Sequence, residues 1–276
     1  MAFFGGSRIN TNVGALNAFN SLNQINSKVG QVQMRLASGK RINSAADDPA
    51  GYTIGKKLEA RSKSLSQALN NVGELKNILS VAEGGLQAIN DIYVGIKEKV
   101  IQAGNGAYGA DELNALVTQV QDMLNEVDDI IAETKFNGTA LLNAQFSSKT
   151  FQTGADNGDS ITVSLNATID SADFGLSSLT TSNIGSSTTL ASLDTAISRL
   201  STELQSVGSL VARLDVKEQT LATAITNTDA AKSRIMDADI AKEQLEMTKL
   251  QILQQTATAQ LAQANASPQS VLSLFR

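Results

Sequence analysis

The chain has 276 residues, a formal net charge of −5 and a sequence pI near 4.9, and it is 42% hydrophobic but only 4% aromatic. It contains no His, Cys or Trp, which removes histidine bases, thiol nucleophiles, thiolate metal sites and disulfides and leaves carboxylates, hydroxyls and lysines for chemistry. No apolar run reaches about 18 residues, so no membrane insertion is expected, and an acidic chain lacks the basic face that nucleic acid requires.

Charge is unevenly placed. Residues 1–46 hold five Lys or Arg and no acid, residues 47–235 hold 14 bases against 23 acids, and residues 236–276 hold three bases and four acids. The five N-terminal bases have no clustered aromatics, so ion pairing or solvation explains them better than nucleic acid. Met1 to Ser7 lacks a charged stretch followed by an apolar one, so a standard signal peptide is not expected. The two prolines, Pro49 and Pro268, leave the span between them free of the residue that breaks helices.

Taken in chain order, residues 9–27 are uncharged and rich in Asn, Ser and Ala. Leu22, Ile25, Val29, Val32 and Leu36 form an apolar stripe at steps of three and four, which predicts a helix ending near Ser38-Gly39. A polar connector follows, in which Asp47 or Asp48 can cap the next helix with Pro49 in its first turn. From about Ala50 to Ala103 the stripe Val72, Leu75, Leu79, Ala82, Leu86, Ile89, Tyr93, Ile96 and Val100 is unbroken across Gly84-Gly85, so one long helix is expected. Gly104-Asn105-Gly106 ends it. Leu113, Leu116, Val120, Met123, Val127 and Ile130 mark a third helix, antiparallel to the second.

After Phe136-Asn137-Gly138 the texture changes. Thr150 to Thr153 and Ser160 to Leu165 alternate with period two around a turn at Gly154 to Asp159, so residues 139–188 read as a small strand-and-loop module. Helix returns at about Leu190. Its stripe of Leu190, Leu193, Ile197, Leu200, Leu204, Val207, Val211 and Leu214 continues through Leu221, Ile225 and Ile235, with polar interruptions at Glu218, Thr228 and Lys232 that fix register. Residues 250–275 carry no charge and hold a last stripe at Leu250, Leu253, Ala257, Leu261 and Ala264, with Leu272 and Phe275 beyond it. Gln and Thr flanking that stripe can hydrogen-bond between packed helices without burying charge.

The fold class that follows is mainly α: a long antiparallel, coiled-coil-like helical bundle with a small β-hairpin module and paired N- and C-terminal helices. Burying a Leu, Ile or Val contributes about 1.5–3 kcal/mol, and the middle helices have many such positions. Ordering a residue costs about 1–2 kcal/mol, which a lone helix with one narrow stripe does not offset. The first ~45 and last ~40 residues are therefore expected to be mobile in an isolated monomer and to order against each other and neighbouring copies. Such long side-by-side helices suit a rod that builds or connects.

Several motifs match a known family in the right order. They are Ile9-Asn10-Thr11-Asn12, the stretch from Arg35-Leu36-Ala37-Ser38-Gly39-Lys40-Arg41-Ile42 through Asn43-Ser44-Ala45-Ala46-Asp47-Asp48, and Phe136-Asn137-Gly138. Ser233-Arg234-Ile235-Met236-Asp237-Ala238-Asp239, Gln251-Ile252-Leu253-Gln254-Gln255 and the end from Leu261 to Arg276 follow. The chain resembles a bacterial flagellin in minimal form, without large outer domains. The resemblance implies a structural subunit, not an enzyme, that needs no cofactor or metal and polymerises with itself into an extracellular filament for swimming. It implies an inner domain from residues 1–46 and 236–276, and an outer one from residues 47–138 and 189–235 bearing the 139–188 module. Subunit assembly would then use Leu22, Ile25, Val29, Val32, Leu36, Leu250, Leu253, Ala257, Leu261, Ala264, Leu272 and Phe275.

The resemblance further implies secretion through the flagellar apparatus, an export chaperone around Leu245–Phe275, and contact with filament cap and hook-junction proteins. Met1 to Arg8 makes the start about four residues longer than the common form. Positions that in many flagellins carry an innate-immune receptor epitope are Gly95, Lys99 and Gln119 here, which implies weak activation of that receptor. A hook–filament junction protein is the nearest alternative, and a secreted adhesin or translocator is a more distant one. Asp47-Asp48, Asp128-Asp129 and Asp237 with Asp239 are paired carboxylates, but caps and solvated faces outnumber catalytic pairs. Asp156 to Asp159 lacks the full spacing of a calcium loop and reads as a turn. Asn137, Asn166 and Asn265 match the N-glycan pattern at a frequency that chance explains.

Overall fold

The structure is a computed structural model that describes residues 11–143, 146–165 and 169–273, with side chains described to 266. Among the described residues there are five helices, α1 (Val13–Ser38), α2 (Pro49–Ala103), α3 (Ala110–Glu133), α4 (Ser187–Met236) and α5 (Ile240–Ser273). Two short antiparallel hairpins join β1 (Lys135–Phe136) to β2 (Thr139–Ala140), and β3 (Lys149–Gln152) to β4 (Ser160–Val163). The chain divides into two compact units, Met1–Ala60 with Asn227–Arg276, and Arg61–Thr226.

In the unit Arg61–Thr226 the three-and-four periodicity does the folding. Val72, Leu75, Leu79, Ala82, Leu86, Ile89, Tyr93, Ile96 and Val100 of α2 are all buried, as are Leu193, Ala196, Leu200, Val207 and Leu214 of α4. They share one core with Leu116, Val120, Leu124 and Val127 of α3. α2 and α3 run antiparallel: a side chain at Gly95 would meet Met123, and one at Gly85 would meet Thr134. The two adjacent glycines therefore differ. Gly84 faces open space, whereas a Cβ on Gly85 would lie 2.6 Å from Thr134 Oγ1 and 3.0 Å from Leu142 Cδ1.

Polar contacts fix how the helices are placed. Lys76 Nζ on α2 reaches Asp215 at 2.7 Å and Glu218 at 2.8 Å on α4, so the polar interruption at Glu218 joins the two helices. These two carboxylates raise the Lys76 pKa above its ordinary value. Tyr93 donates its hydroxyl to the Ile169 carbonyl at 2.9 Å. Burial, followed by the charges of Asp128, Asp170 and Asp173, pushes that phenol's pKa up. The long loops are anchored rather than loose: Leu141, Leu142, Ile169, Leu176 and Ile184 are buried to 1% exposure or less.

The strands β3 and β4 lie where the alternation places them, with Phe151 opposite Ile161. The hairpin β1–β2 is an addition to the sequence reading. Asn137 and Gly138 both take positive φ, 47° and 80°, the geometry that favours Asn-Gly in a two-residue hairpin.

Candidate functional site

The unit Met1–Ala60 with Asn227–Arg276 is built from the chain's two ends, and its signature residues meet in space. α1 starts at Asn12, whose Oδ1 accepts from the Ala15 amide at 3.0 Å. It ends at Gly39, which takes a left-handed φ of 69° and closes the last turn by donating its amide to the Arg35 carbonyl. Asp239 caps α5 by accepting from the Ala241 and Lys242 amides at 3.0 and 3.2 Å.

Between the helices, residues 39–42 lie against residues 235–238. Arg41 donates its amide to the Met236 carbonyl at 2.7 Å and its guanidinium to the Ile235 carbonyl at 2.9 Å. Ala238 donates its amide to the Gly39 carbonyl at 2.9 Å. Ile42 and Met236 are buried here. A Cβ on Gly55 would make the Met236 side chain shift, and one on Gly51 would make the Asp48 and Ile42 side chains shift.

The connector after α1 is held by two aspartates with separate tasks. Asp48 Oδ1 accepts from the Gly51 amide at 3.0 Å and caps α2, with Pro49 as its first residue. Asp47 Oδ2 accepts from the Ser44 amide at 2.9 Å, the Asn43 amide at 3.0 Å and the Ser44 hydroxyl at 3.1 Å. Those backbone donors hold the Asp47 carboxyl below its ordinary pKa.

α1 and α5 pair antiparallel over most of their length. Three polar contacts set the register: Asn12 Nδ2 to the Ala264 carbonyl at 2.7 Å, Gln254 Nε2 to Asn26 Oδ1 at 2.8 Å, and Arg35 with Glu243 at 3.6 Å. Between them the N-terminal stripe faces the C-terminal one. Val32, Met247 and Leu250 form a small buried cluster with Val29 and Leu36 packed on it. Leu22 and Ile25 are half-buried, as are Leu261 and Ala264, and Ala257 is buried. Leu253 departs from the expected stripe. It is 41% exposed, and Gln254 takes the place beside α1. The side chain of Leu272, and Phe275 altogether, lie outside the described residues.

A second apolar face is absent from the sequence reading. Val13, Leu16, Phe19 and Met34 on α1, and Ile240, Leu245, Ile252 and Leu253 on α5, are between 41% and 73% exposed. Apart from Leu253, which the expected stripe included, their signal is negative: they are large apolar residues that fall off the stripes. Large exposed apolar surface beside a small core marks a surface that something else covers. Of the epitope positions, Gly95 admits Met123 closely on α2, Lys99 is half-buried, and Gln119 on α3 is exposed. Of the other acidic groups, Asp128 accepts from the Ser171 amide and hydroxyl at 3.1 and 2.7 Å. Asp156 pairs with Arg61 at 3.2 Å. Each has a structural task.

Comparison with known proteins now has a geometry to explain. Residues 9–147 match the family model for the bacterial flagellin N-terminal helical region, and residues 190–275 match that for the C-terminal helical region. The chain belongs to the bacterial flagellin family. It is 34% identical to flagellin FlaB1 of Treponema pallidum, covering 97% of this chain and 99% of that protein. It is 33% identical to a flagellin of Bacillus subtilis, covering 98% and 100%. A solved structure, that of a candidate flagellar hook-associated protein from Vibrio parahaemolyticus, shares the fold at a TM-score of 0.56 and 15% identity, covering 69% of this chain and 100% of that one. Flagellins are structural proteins, not known as enzymes, that polymerise with their own kind into the extracellular flagellar filament. Near-complete coverage in both directions makes this a flagellin of minimal size.

Proposed function

We propose that this flagellin forms the filament by covering, between copies, the outward apolar face of α1 and α5. The observation that carries the proposal is the contrast within one unit: few buried apolar side chains, and large exposed ones along both end helices. On this reading residues 1–46 and 236–276 form the inner helical domain. Residues 47–235 form the outer one, with the 139–188 module on it. The stripe residues Leu22, Ile25, Val29, Val32, Leu36, Leu250, Ala257, Leu261 and Ala264 hold the end helices to each other, and Leu253 turns toward a neighbouring copy. The end helices order fully only on polymerisation, because so small a core offsets little of their conformational entropy.

The family resemblance supports the finer parts of the scheme. The chain is secreted through the flagellar apparatus, a chaperone holds residues 245–275 before export, and cap and hook-junction proteins flank the growing polymer. Gly95, Lys99 and Gln119 give weak innate-immune receptor activation; strong signalling by purified monomer in a reporter assay would overturn that assignment.

The deciding experiment removes residues 236–276, which takes away α5 and the Met236 contacts. The truncated chain is expected to keep its helical 61–226 unit and to form no filaments by electron microscopy. Normal filaments from it would defeat this mechanism.

A further inference from the structure

Two oppositely charged surfaces of the 61–226 unit are left without partners in the monomer. The first is an open cleft of about 600 Å³ where the β3–β4 hairpin meets the outward side of α4. Thr153, Asp159 and Ile161 line one wall, and Arg213, Val216 and Lys217 the other. Val216 is 66% exposed. The Asp159 carboxylate is turned to its own hairpin, where it accepts from the Asp156 amide. The nearby carboxylates Asp215 and Glu218 are held by Lys76, and Asp156 by Arg61. Arg213 and Lys217 have no ion-pair or hydrogen-bond partner among the described residues.

The second surface is α3. It carries seven acids and no base. Asp122, Glu126, Asp129 and Glu133 recur at steps of four, three and four, which places them on one side of the helix. All four are exposed and without a partner among the described residues. The nearest cation in sequence is Lys135, which lies past the helix end on β1.

Resting on the filament reading, we infer that the Arg213–Lys217 cleft of one copy receives the acidic side of α3 from a second copy. The spacings agree. Arg213 and Lys217 are one helical turn apart, a rise of about 6 Å, as are Asp122 and Glu126. On the filament reading the 47–235 segments of neighbouring copies come together, and their 14 bases against 23 acids repel unless local complementary patches offset them. The two surfaces are different patches on the same unit, so each copy donates one and receives the other. Such a contact is heterologous, so it does not close as a two-fold dimer, and it propagates as an open helix where its rotation does not close a ring.

The test is polymerisation of full-length chain at low salt, read as critical concentration by sedimentation. R213E/K217E and D122K/E126K are each expected to raise it at least about tenfold, with unchanged unfolding midpoints, and the gap is expected to narrow at high salt. The four-change chain is expected to return to within about threefold of the original. A direct readout uses the absence of native cysteine: E126C and K217C chains, mixed and oxidised, are expected to cross-link between copies in filaments and not in monomers. Unaltered critical concentrations, a four-change chain no better than its parents, or no cross-link in filaments would each overturn the contact. If the original chain itself forms no filament, the filament reading falls and takes this contact with it; normal original filaments with unaffected variants sink the contact alone.

Discussion

The outward face of α5 allows a separation that most assembly surfaces do not. Leu245 is 73% exposed, whereas Leu250, five residues on in the same helix, is 3% exposed. Leu245→Ala keeps helix propensity high and leaves the monomer's packing almost untouched. Full burial of a Leu side chain contributes about 1.5–3 kcal/mol, so the share of Leu245 still available for a neighbour is about 1–2 kcal/mol. Losing it raises the critical concentration for polymerisation by about 5–30-fold. Leu250→Ala acts on the other side of the balance. It opens a cavity in the small α1–α5 cluster, at about 2–5 kcal/mol, and destabilises the end-helix pair before any neighbour arrives. The assay is sedimentation of seeded polymer over a concentration series, with far-UV circular dichroism of both monomers. An L245A chain that polymerises at the original critical concentration would refute the claim that this face is covered in the filament.

Two further outcomes test the packing and the signature loop. Gly84→Ala gains about 1 kcal/mol of helix propensity in open space. Gly85→Ala forces a Cβ against Thr134, whose hydroxyl is held by the Ile130 carbonyl at 2.7 Å. Overpacking of about 1–3 kcal/mol then cancels or outweighs the same gain. Urea midpoints should therefore move up for the first variant and stay level or fall for the second; equal shifts would contradict the described contact. Asp47 has a folded pKa below its reference of 3.8. Its contribution to the loop is present above that reference and is lost as pH falls through the lower folded value. Titration by NMR should give a midpoint under 3.8, with Ser44 amide exchange accelerating as the group protonates; a midpoint at or above 3.8 would contradict the backbone donors assigned to it.

How much of this was legible in the sequence depended on the range over which the signal acts. The α2 stripe from Val72 to Val100 and the α4 stripe from Leu193 to Leu214 were readable because helix periodicity is local and Pro is absent. The cap at Asp48-Pro49 and the stop at Gly39 follow local backbone chemistry as well. The Asn137-Gly138 hairpin carried a local signal that the helix pattern before it masked. Leu141, Ile169, Leu176 and Ile184 were hidden for a different reason. They anchor irregular loops at no fixed spacing, and only the folded chain reveals that they close the core. At the candidate site the stripes were legible, but what they face was not. Periodicity says that Leu250 and Ala257 share a side; it does not say that Gln254 joins them by bonding Asn26. Nor does it mark Phe19 or Leu245 as the side left open.

Amide hydrogen exchange, compared between dilute monomer and filament, tests the account most directly. Residues 13–38 and 240–273 should exchange quickly in the monomer and at least a hundredfold more slowly in the filament, while the buried positions of α2 and α4 from Val72 to Leu214 stay protected in both. Equal, strong protection of α1 and α5 in both states would contradict it.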